Sequence, residues 1–314
     1  MSCRNFICIL YRRLPDAAPW ASITMSTSSA ISTLSAISFY PVKSCGGLSV
    51  TRADIGALGL ALDRHWMLVD RQGRFLTQRS HPRMACITPA FEGDALVLRA
   101  PGMPPLRLAA AGEDGATVAV QVWNSHLDAL DQGEPARHWC SHYLGEEVRL
   151  VRFDPAVTRA CSQRWTGAHQ ATTQFSDGYP LLVIGQSSLD DLNARLASKG
   201  APSLPMDRFR PNLVISGLEP YEEDFIDTLR FGEGEQAVQL KLVKPCARCP
   251  IPGIDQHTGL RDAQWPDEPL DTLAAYRANP RVDGGLTFGQ NAIVIGGIGG
   301  SIEVGQVCHW EFNF

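Results

Sequence analysis

Cys246 and Cys249 stand two residues apart in KLVKPCARCPIPGIDQHTG (241–259), with Lys244 and Arg248 beside them and Pro250 and Pro252 close behind. Thiolates bind soft metals or act as nucleophiles, and neighbouring cations favour the thiolate over the thiol. Four readings fit the spacing. A thioredoxin-like redox pair requires a helix opening at the motif, which the two prolines and Gly253 oppose. A structural zinc site requires four ligands, but no second CxxC or HxxxH accompanies the first, and Cys308 and His309 are adjacent. Two partly buried thiols in a loop would do no chemistry at all. The fourth reading is a single thiolate on a metal whose other ligands come from a cofactor, with the nearby cations neutralising that cofactor's phosphate. It calls for further Lys, Arg and Ser residues in loops elsewhere.

The chain that must gather them has 314 residues, of which 44% are hydrophobic, enough for one large core or two domains. A formal net charge of −5 provides no global cationic field, which argues against nucleic-acid and membrane-surface binding. The cysteines are odd in number and scattered (Cys3, Cys8, Cys45, Cys86, Cys140, Cys161, Cys246, Cys249, Cys308) in a chain far larger than a disulfide-stapled scaffold. This usage fits a reducing compartment and a cytoplasmic location. The apolar run at residues 6–11 is too short for a signal-peptide core or a membrane span. Residues 1–30 are expected to be a disordered extension, and Met25 offers a second start.

Strand patterns dominate the rest. ISFYPV (37–42), RHWMLVD (64–70), ALVLRA (95–100), ATVAVQVW (116–123), EVRLVRF (147–153), PLLVI (180–184), NLVIS (212–216), AVQLKLV (237–243), NAIVI (291–295) and QVCHWEF (306–312) are short and rich in branched or aromatic residues. Val118, Val120 and Val122 alternate with other residues, as do Val238, Leu240 and Leu242, the pattern of strands with one buried face. Helices are expected at 136–144, at 187–199 with serines capping its start, and at 270–278. So few helices oppose a doubly wound parallel sheet and favour closed or partly closed antiparallel sheets, a mainly β fold of the α+β kind. The polar, irregular stretch at 152–174 is the best domain boundary.

FYPVKSCGG (39–47), LDRHWMLVD (62–70), GRFLTQR (73–79), FSDGYPLLVIGQSSLDDLN (175–193), FRPNLVISG (209–217), CARCPIPGIDQHTG (246–259) and FGQN (288–291) follow one another in this order. Together they resemble the MOSC family in its form with an N-terminal β-barrel domain, which includes the mitochondrial amidoxime-reducing component and bacterial YcbX-like proteins. The resemblance runs from about Ile31 to the C-terminus. It implies an N-terminal MOSC β-barrel domain over 31–152 and a MOSC domain over 153–314, with a molybdenum cofactor (molybdenum-molybdopterin) between them. In the family pattern CxRC the second cysteine is the metal ligand, here Cys249, and a thiolate suits a metal already held by dithiolene sulfur. The residues matching the family's cofactor anchors are Lys43, Ser44, Arg64, Arg210 and Arg248, with Asn212 orienting the group and Ala247 contributing backbone only. Forked guanidiniums suit phosphate and polar pterin edges. Asp177 matches an acidic residue near the metal that could relay protons. The chain departs from the amidoxime-reducing branch at Gly178 and Tyr179, where relatives carry small hydroxyl residues, and Tyr179 would narrow the pocket.

The activity implied is two-electron reduction of N-hydroxylated small molecules, such as hydroxylamines and amidoximes, to amines or amidines with release of water. The alternative is a cofactor-binding or sulfur-carrier module, as in the related domain of molybdenum cofactor sulfurases. Some bacterial relatives continue into a ferredoxin domain, whereas only Cys308 follows the CARC motif here. Electrons are therefore expected from a separate reductase or electron-transfer protein.

Overall fold

The computed structural model describes residues 32–110 and 115–313. The expectation for residues 1–30 lies outside them. Each of the ten anticipated strand segments falls on an observed strand, and the fold is mainly β with few helices. The largest sheet has nine strands and runs in the order Cys308–Phe312, Ile226–Phe231, Val238–Ala247, Gly285–Gly296, Leu181–Gly185, Leu213–Ser216, Thr33–Phe39 and Leu48–Val50, with Ala278–Asn279 added beside Gly285–Gly296. Its pairings are antiparallel except for Leu181–Gly185 beside Leu213–Ser216. That parallel pair needs a crossover, which the helix Gln186–Ser198 supplies.

A four-stranded sheet follows the order Trp66–Asp70, Val148–Phe153, Ser125–Asp131 and Thr117–Val122. Two three-stranded sheets complete the set: Thr88–Glu92 with Ala95–Arg99 and Leu106–Ala109, and Ser301–Glu303 with Arg52–Gly56 and Gly59–Leu60. The last of these sheets and the largest one each join strands from both halves of the sequence. Thr33–Phe39 pairs with Leu213–Ser216, and Arg52–Gly56 pairs with Ser301–Glu303. The N-terminal strands Thr33–Phe39 and Leu48–Val50 thus help to build the sheet made chiefly by the C-terminal half.

Alternation places the apolar faces as expected. Val120 and Val122 pack with Met67, Val69, Phe153 and Phe175, while Val238, Leu240 and Leu242 join Leu34, Ile37, Val183 and Leu213. Leu189, Leu192 and Leu196 are buried against Ile184, Phe209 and Phe288, and each such side chain contributes about 2 kcal/mol.

The helix that carries them begins at Gln186 with Gly185 as its N-cap, and no serine side chain caps it, contrary to expectation. The strand Leu181–Gly185 runs straight into the helix. Ser188 is then free to donate to Glu223 Oε2 at 2.7 Å and to accept from the Tyr221 amide at 2.8 Å. The helix expected at 270–278 stops at Ala274, because the chain turns back to pair Ala278–Asn279 with Gly285 and Leu286. The strand expected at 237–243 continues to Ala247, and it shifts register between Leu242 and Lys244 and again between Pro245 and Ala247. Those irregularities accommodate a proline that cannot donate to a regular ladder. They also turn the strand's end, and the two cysteines with it, toward a cavity bordered by the N-terminal turns.

Candidate functional site

This cavity, of about 390 Å³, opens where those turns meet the end of the cysteine-bearing strand. Lys43, Ser44, Arg64, Asp177, Arg210, Asn212, Ala247, Arg248 and Cys249, every candidate from the sequence, line it. Cys246, Gly178 and Tyr179 line it too.

The backbone is unusual at this wall. Ser44, Arg64, Trp123 and Arg210 have φ of 65°, 49°, 53° and 57°, the left-handed region that side chains normally avoid. Each costs of order 1 kcal/mol, and such strain persists where surrounding structure enforces it. The enforcement is visible in hydrogen bonds. Lys43 N donates to Trp66 O at 2.8 Å, Arg64 N to Tyr40 O at 2.8 Å, and Arg210 N to Asp207 O at 3.1 Å.

Two guanidiniums clamp one ring. Arg64 and Arg210 lie 4.3 and 4.2 Å from the Tyr40 ring centroid, and burial, only partly offset by those two cations, pushes the Tyr40 phenol up to about 12. Arg64 Nη1 donates to Asp63 Oδ2 at 2.5 Å and to Asn212 Oδ1 at 3.1 Å. Asn212 Oδ1 also accepts from the Leu182 amide at 3.0 Å, so Asn212 ties Arg64 to the central strand. Arg210 Nη1 donates to Gln256 Oε1 at 2.9 Å. Gln256 in turn pairs reciprocally with Gln78, at 2.9 and 3.0 Å, and Gln78 donates to Ser44 O at 2.9 Å.

On another wall, the Lys43 ammonium donates to Phe175 O at 2.8 Å and to Asp177 Oδ1 at 2.5 Å. Burial lowers the Lys43 ammonium, although Asp177 opposes this. The Asp177 side chain is enclosed by protein yet open to the cavity, with 71% of it accessible. Enclosure raises its carboxyl, but the Lys43 charge and hydrogen bond, the Trp123 indole at 3.2 Å and the Arg64 charge outweigh that and hold it far below the ordinary carboxylate range. Arg159 fixes this segment from behind, donating to the carbonyls of Gln174, Ser176 and Asp177 at 2.8, 2.5 and 2.9 Å.

Arg248 spans the two thiols' loop. Its Nη1 donates to Cys246 Sγ at 3.1 Å and its Nη2 to Phe209 O at 2.8 Å. Arg248 Nε and Arg210 Nη2 are buried without a hydrogen-bond partner, an arrangement that is costly unless a ligand supplies the acceptor. The cavity thus presents several cations, unsatisfied guanidinium N–H groups, one paired carboxylate and a pair of thiols. A phosphate-bearing ligand with a soft metal fits this donor set. Among the described residues no group of three or more His, Cys, Asp or Glu side chains is arranged to hold a metal ion, which leaves the structural zinc reading without a ligand set there.

Residues 31–147 match the MOSC N-terminal beta barrel domain and residues 170–309 match the MOSC domain. This chain belongs to the MOSC family. Mitochondrial amidoxime-reducing component 1 of Mus musculus is 34% identical over 255 residues, covering 79% of this chain and 72% of that protein. Mitochondrial amidoxime reducing component 2 of Rattus norvegicus is 33% identical over 257 residues, covering 79% and 73%. The human component 1 is 33% identical over 255 residues, covering 79% and 72%.

Against that MOSC background, sequence reasoning passed over Tyr40, Gln78, Gln256, Arg159 and Trp123. Tyr40, Gln78 and Gln256 lie inside the motifs FYPVKSCGG, GRFLTQR and CARCPIPGIDQHTG. A signal was therefore present, but neutral amides and a phenol do not announce an anion site as cations do.

Proposed function

We propose that this MOSC protein binds a molybdenum cofactor in the cavity and reduces N-hydroxylated small molecules to amines or amidines. The observation that carries the reading is the meeting of Cys249 with Lys43, Arg64, Arg210 and Arg248 around one cavity, where Arg210 Nη2 and Arg248 Nε lack acceptors. The amidoxime-reducing names of its relatives support the reaction class.

Cys249 would hold the metal through its sulfur. Arg210 and Arg248 would donate their free N–H groups to the cofactor's anionic and polar edges, and Ser44 and Arg64 would complete that wall. The bound cofactor supplies two-electron redox chemistry at a soft, sulfur-ligated metal. Ala247 has only a methyl group, which leaves its backbone as the contact. Asn212 keeps Arg64 in place through its amide oxygen. Asp177 remains ionised at neutral pH beside Lys43, so it acts as an acceptor that fixes the ammonium, and a proton relayed through it would be held on its carboxyl only transiently. Tyr179, which lines the cavity, would narrow it for the substrate.

The test is metal analysis followed by turnover of hydroxylamine and benzamidoxime with a reduced artificial dye. Stoichiometric molybdenum with dye-driven reduction supports the reading. Molybdenum without turnover would instead support a cofactor-binding or sulfur-carrier module. Electrons are assigned to a separate donor protein, so NADH or NADPH alone should not drive the reaction; turnover with either would remove that assignment.

A further inference from the structure

Lys244 lines the same cavity and lies outside the set of residues assigned to the cofactor and its metal. Its ammonium lies 5.4 Å from the Trp165 ring centroid and 6.0 Å from that of Tyr179. Arg164 and Arg281 approach the same indole at 5.3 and 5.6 Å. Among the described residues no ion pair and no side-chain hydrogen bond engages any of these three cations. Arg164 and Arg281 are exposed to solvent, whereas half-buried Lys244 lines the cavity without a carboxylate partner, which makes it the cation an anionic ligand in the cavity would meet.

The cofactor anchors have different neighbours. Arg64 and Arg210 stack on Tyr40 and reach Asp63, Asn212 and Gln256. Lys244 contacts Trp165 and Tyr179, and its carbonyl accepts from Asn291 at 3.1 Å. Lys244 shares the cavity with those anchors but none of these partner side chains. Lys244 and Tyr179 line the cavity, and half-buried Trp165 packs beside them without lining it, so a small flat molecule can reach the Lys244 and Tyr179 side chains where a folded protein cannot. The rings offer faces for a planar ligand, and the ammonium offers a charge at its edge.

We propose that Lys244 and Tyr179, with Trp165 packed beside them, form a substrate subsite that selects planar N-hydroxylated compounds carrying a carboxylate. The proposal rests on the reductase reading for its substrate class. Arg164 and Arg281, exposed around the Trp165 ring, add to the positive potential there, and Lys244 makes the contact.

The experiment compares benzamidoxime with 4-carboxybenzamidoxime, using cofactor-loaded protein and a dye donor. In Lys244→Gln the ratio of kcat/KM for the anionic over the neutral substrate should fall about tenfold, the worth of one charge-assisted contact. Lys244→Arg should restore most of the ratio, and Arg281→Gln should lower it by less. Equal losses on both substrates would mean a structural role and overturn the proposal. A drop in molybdenum per protein in Lys244→Gln would assign the cation to the cofactor's phosphate and overturn it as well. An effect seen only with a protein electron donor, and not with the dye, would move the cations to a partner surface, which is equally fatal to the subsite. If the wild type reduces neither compound, the reductase reading fails by itself, and calorimetric binding of the same two compounds decides the subsite. Preference for the carboxylate in the wild type, lost in Lys244→Gln, supports the subsite, and no preference rejects it.

Discussion

Cys246 and Cys249 differ in what holds them. Cys246 Sγ accepts from Arg248, while no side-chain hydrogen bond among the described residues engages Cys249, which leaves its sulfur free for a metal. Cys249→Ser is expected to lower dye-driven turnover by about 100-fold or more along with bound molybdenum, because a hydroxyl is a poor ligand for a soft metal. Cys246→Ser should keep most of both, since serine can still accept from Arg248. Molybdenum content and turnover check the pair, and the reverse pattern would move the ligand to Cys246. Asp177 gives a pH prediction. Its carboxyl is depressed in the folded state, so its contribution is present above the ordinary carboxylate range and is lost as pH falls below about 4 toward the folded value. Asp177→Asn should therefore flatten the acid limb of Tm against pH, with only a small change in Tm at pH 7 because the carboxylate is largely accessible to solvent. An unchanged acid limb would mean that the Lys43 pairing adds nothing to stability.

The strand Gly285–Gly296 shows how an element serves the site. Gly289, in the motif FGQN, has a φ of 78°, and a Cβ there would lie 2.6 Å from Ile184 Cγ1 and 2.8 Å from Val183 O. Gly289→Ala should cost about 2 kcal/mol or more through combined strain and overlap, read as a shift in the denaturant midpoint. A neutral substitution would show that the neighbouring strand yields easily. The helix Gln186–Ser198 and the turn at Glu222–Asp224 are joined by Glu223, whose buried carboxyl is pushed up to about 7 by burial, with Ser188 donating to Oε2 and Oε1 left unpartnered. With the folded value above the ordinary 4.5, its stabilising contribution is full below about 4.5 and is lost as pH rises through about 7. Glu223→Gln should remove that decline from a Tm series between about pH 5 and pH 8. The serines before this helix read as caps in the sequence, and Ser188 instead serves Glu223. Local sequence names a good capping residue but cannot say whether a buried carboxylate will claim it first.

At the scale of the molecule, Gln78 and Gln256 join regions 178 positions apart and carry Arg210 on the same amide oxygen. Gln256→Ala should cost about 1 to 3 kcal/mol, since it strands buried donors on Gln78 and Arg210. It should also reduce cofactor occupancy without lowering turnover per bound molybdenum. Unfolding free energy and metal content measure the two effects, and intact occupancy would detach the amide pair from the site. This pairing marks the border of what the sequence by itself determined. Strand faces followed from alternation at Val118 to Val122 and Val238 to Leu242, because solvent sorts side chains by a period that any short window contains. The donor chemistry of Cys249, Lys43, Arg64, Arg210 and Arg248 was likewise a property of residue types in ordered motifs. Only tertiary structure decided that Tyr40 would lie between Arg64 and Arg210, and that Ser44, Arg64, Trp123 and Arg210 would take left-handed backbone. It also set Lys244 on a different wall from the other cations. Such choices depend on packing between segments far apart in the chain, where the energy of the whole fold overrides the preference of each residue.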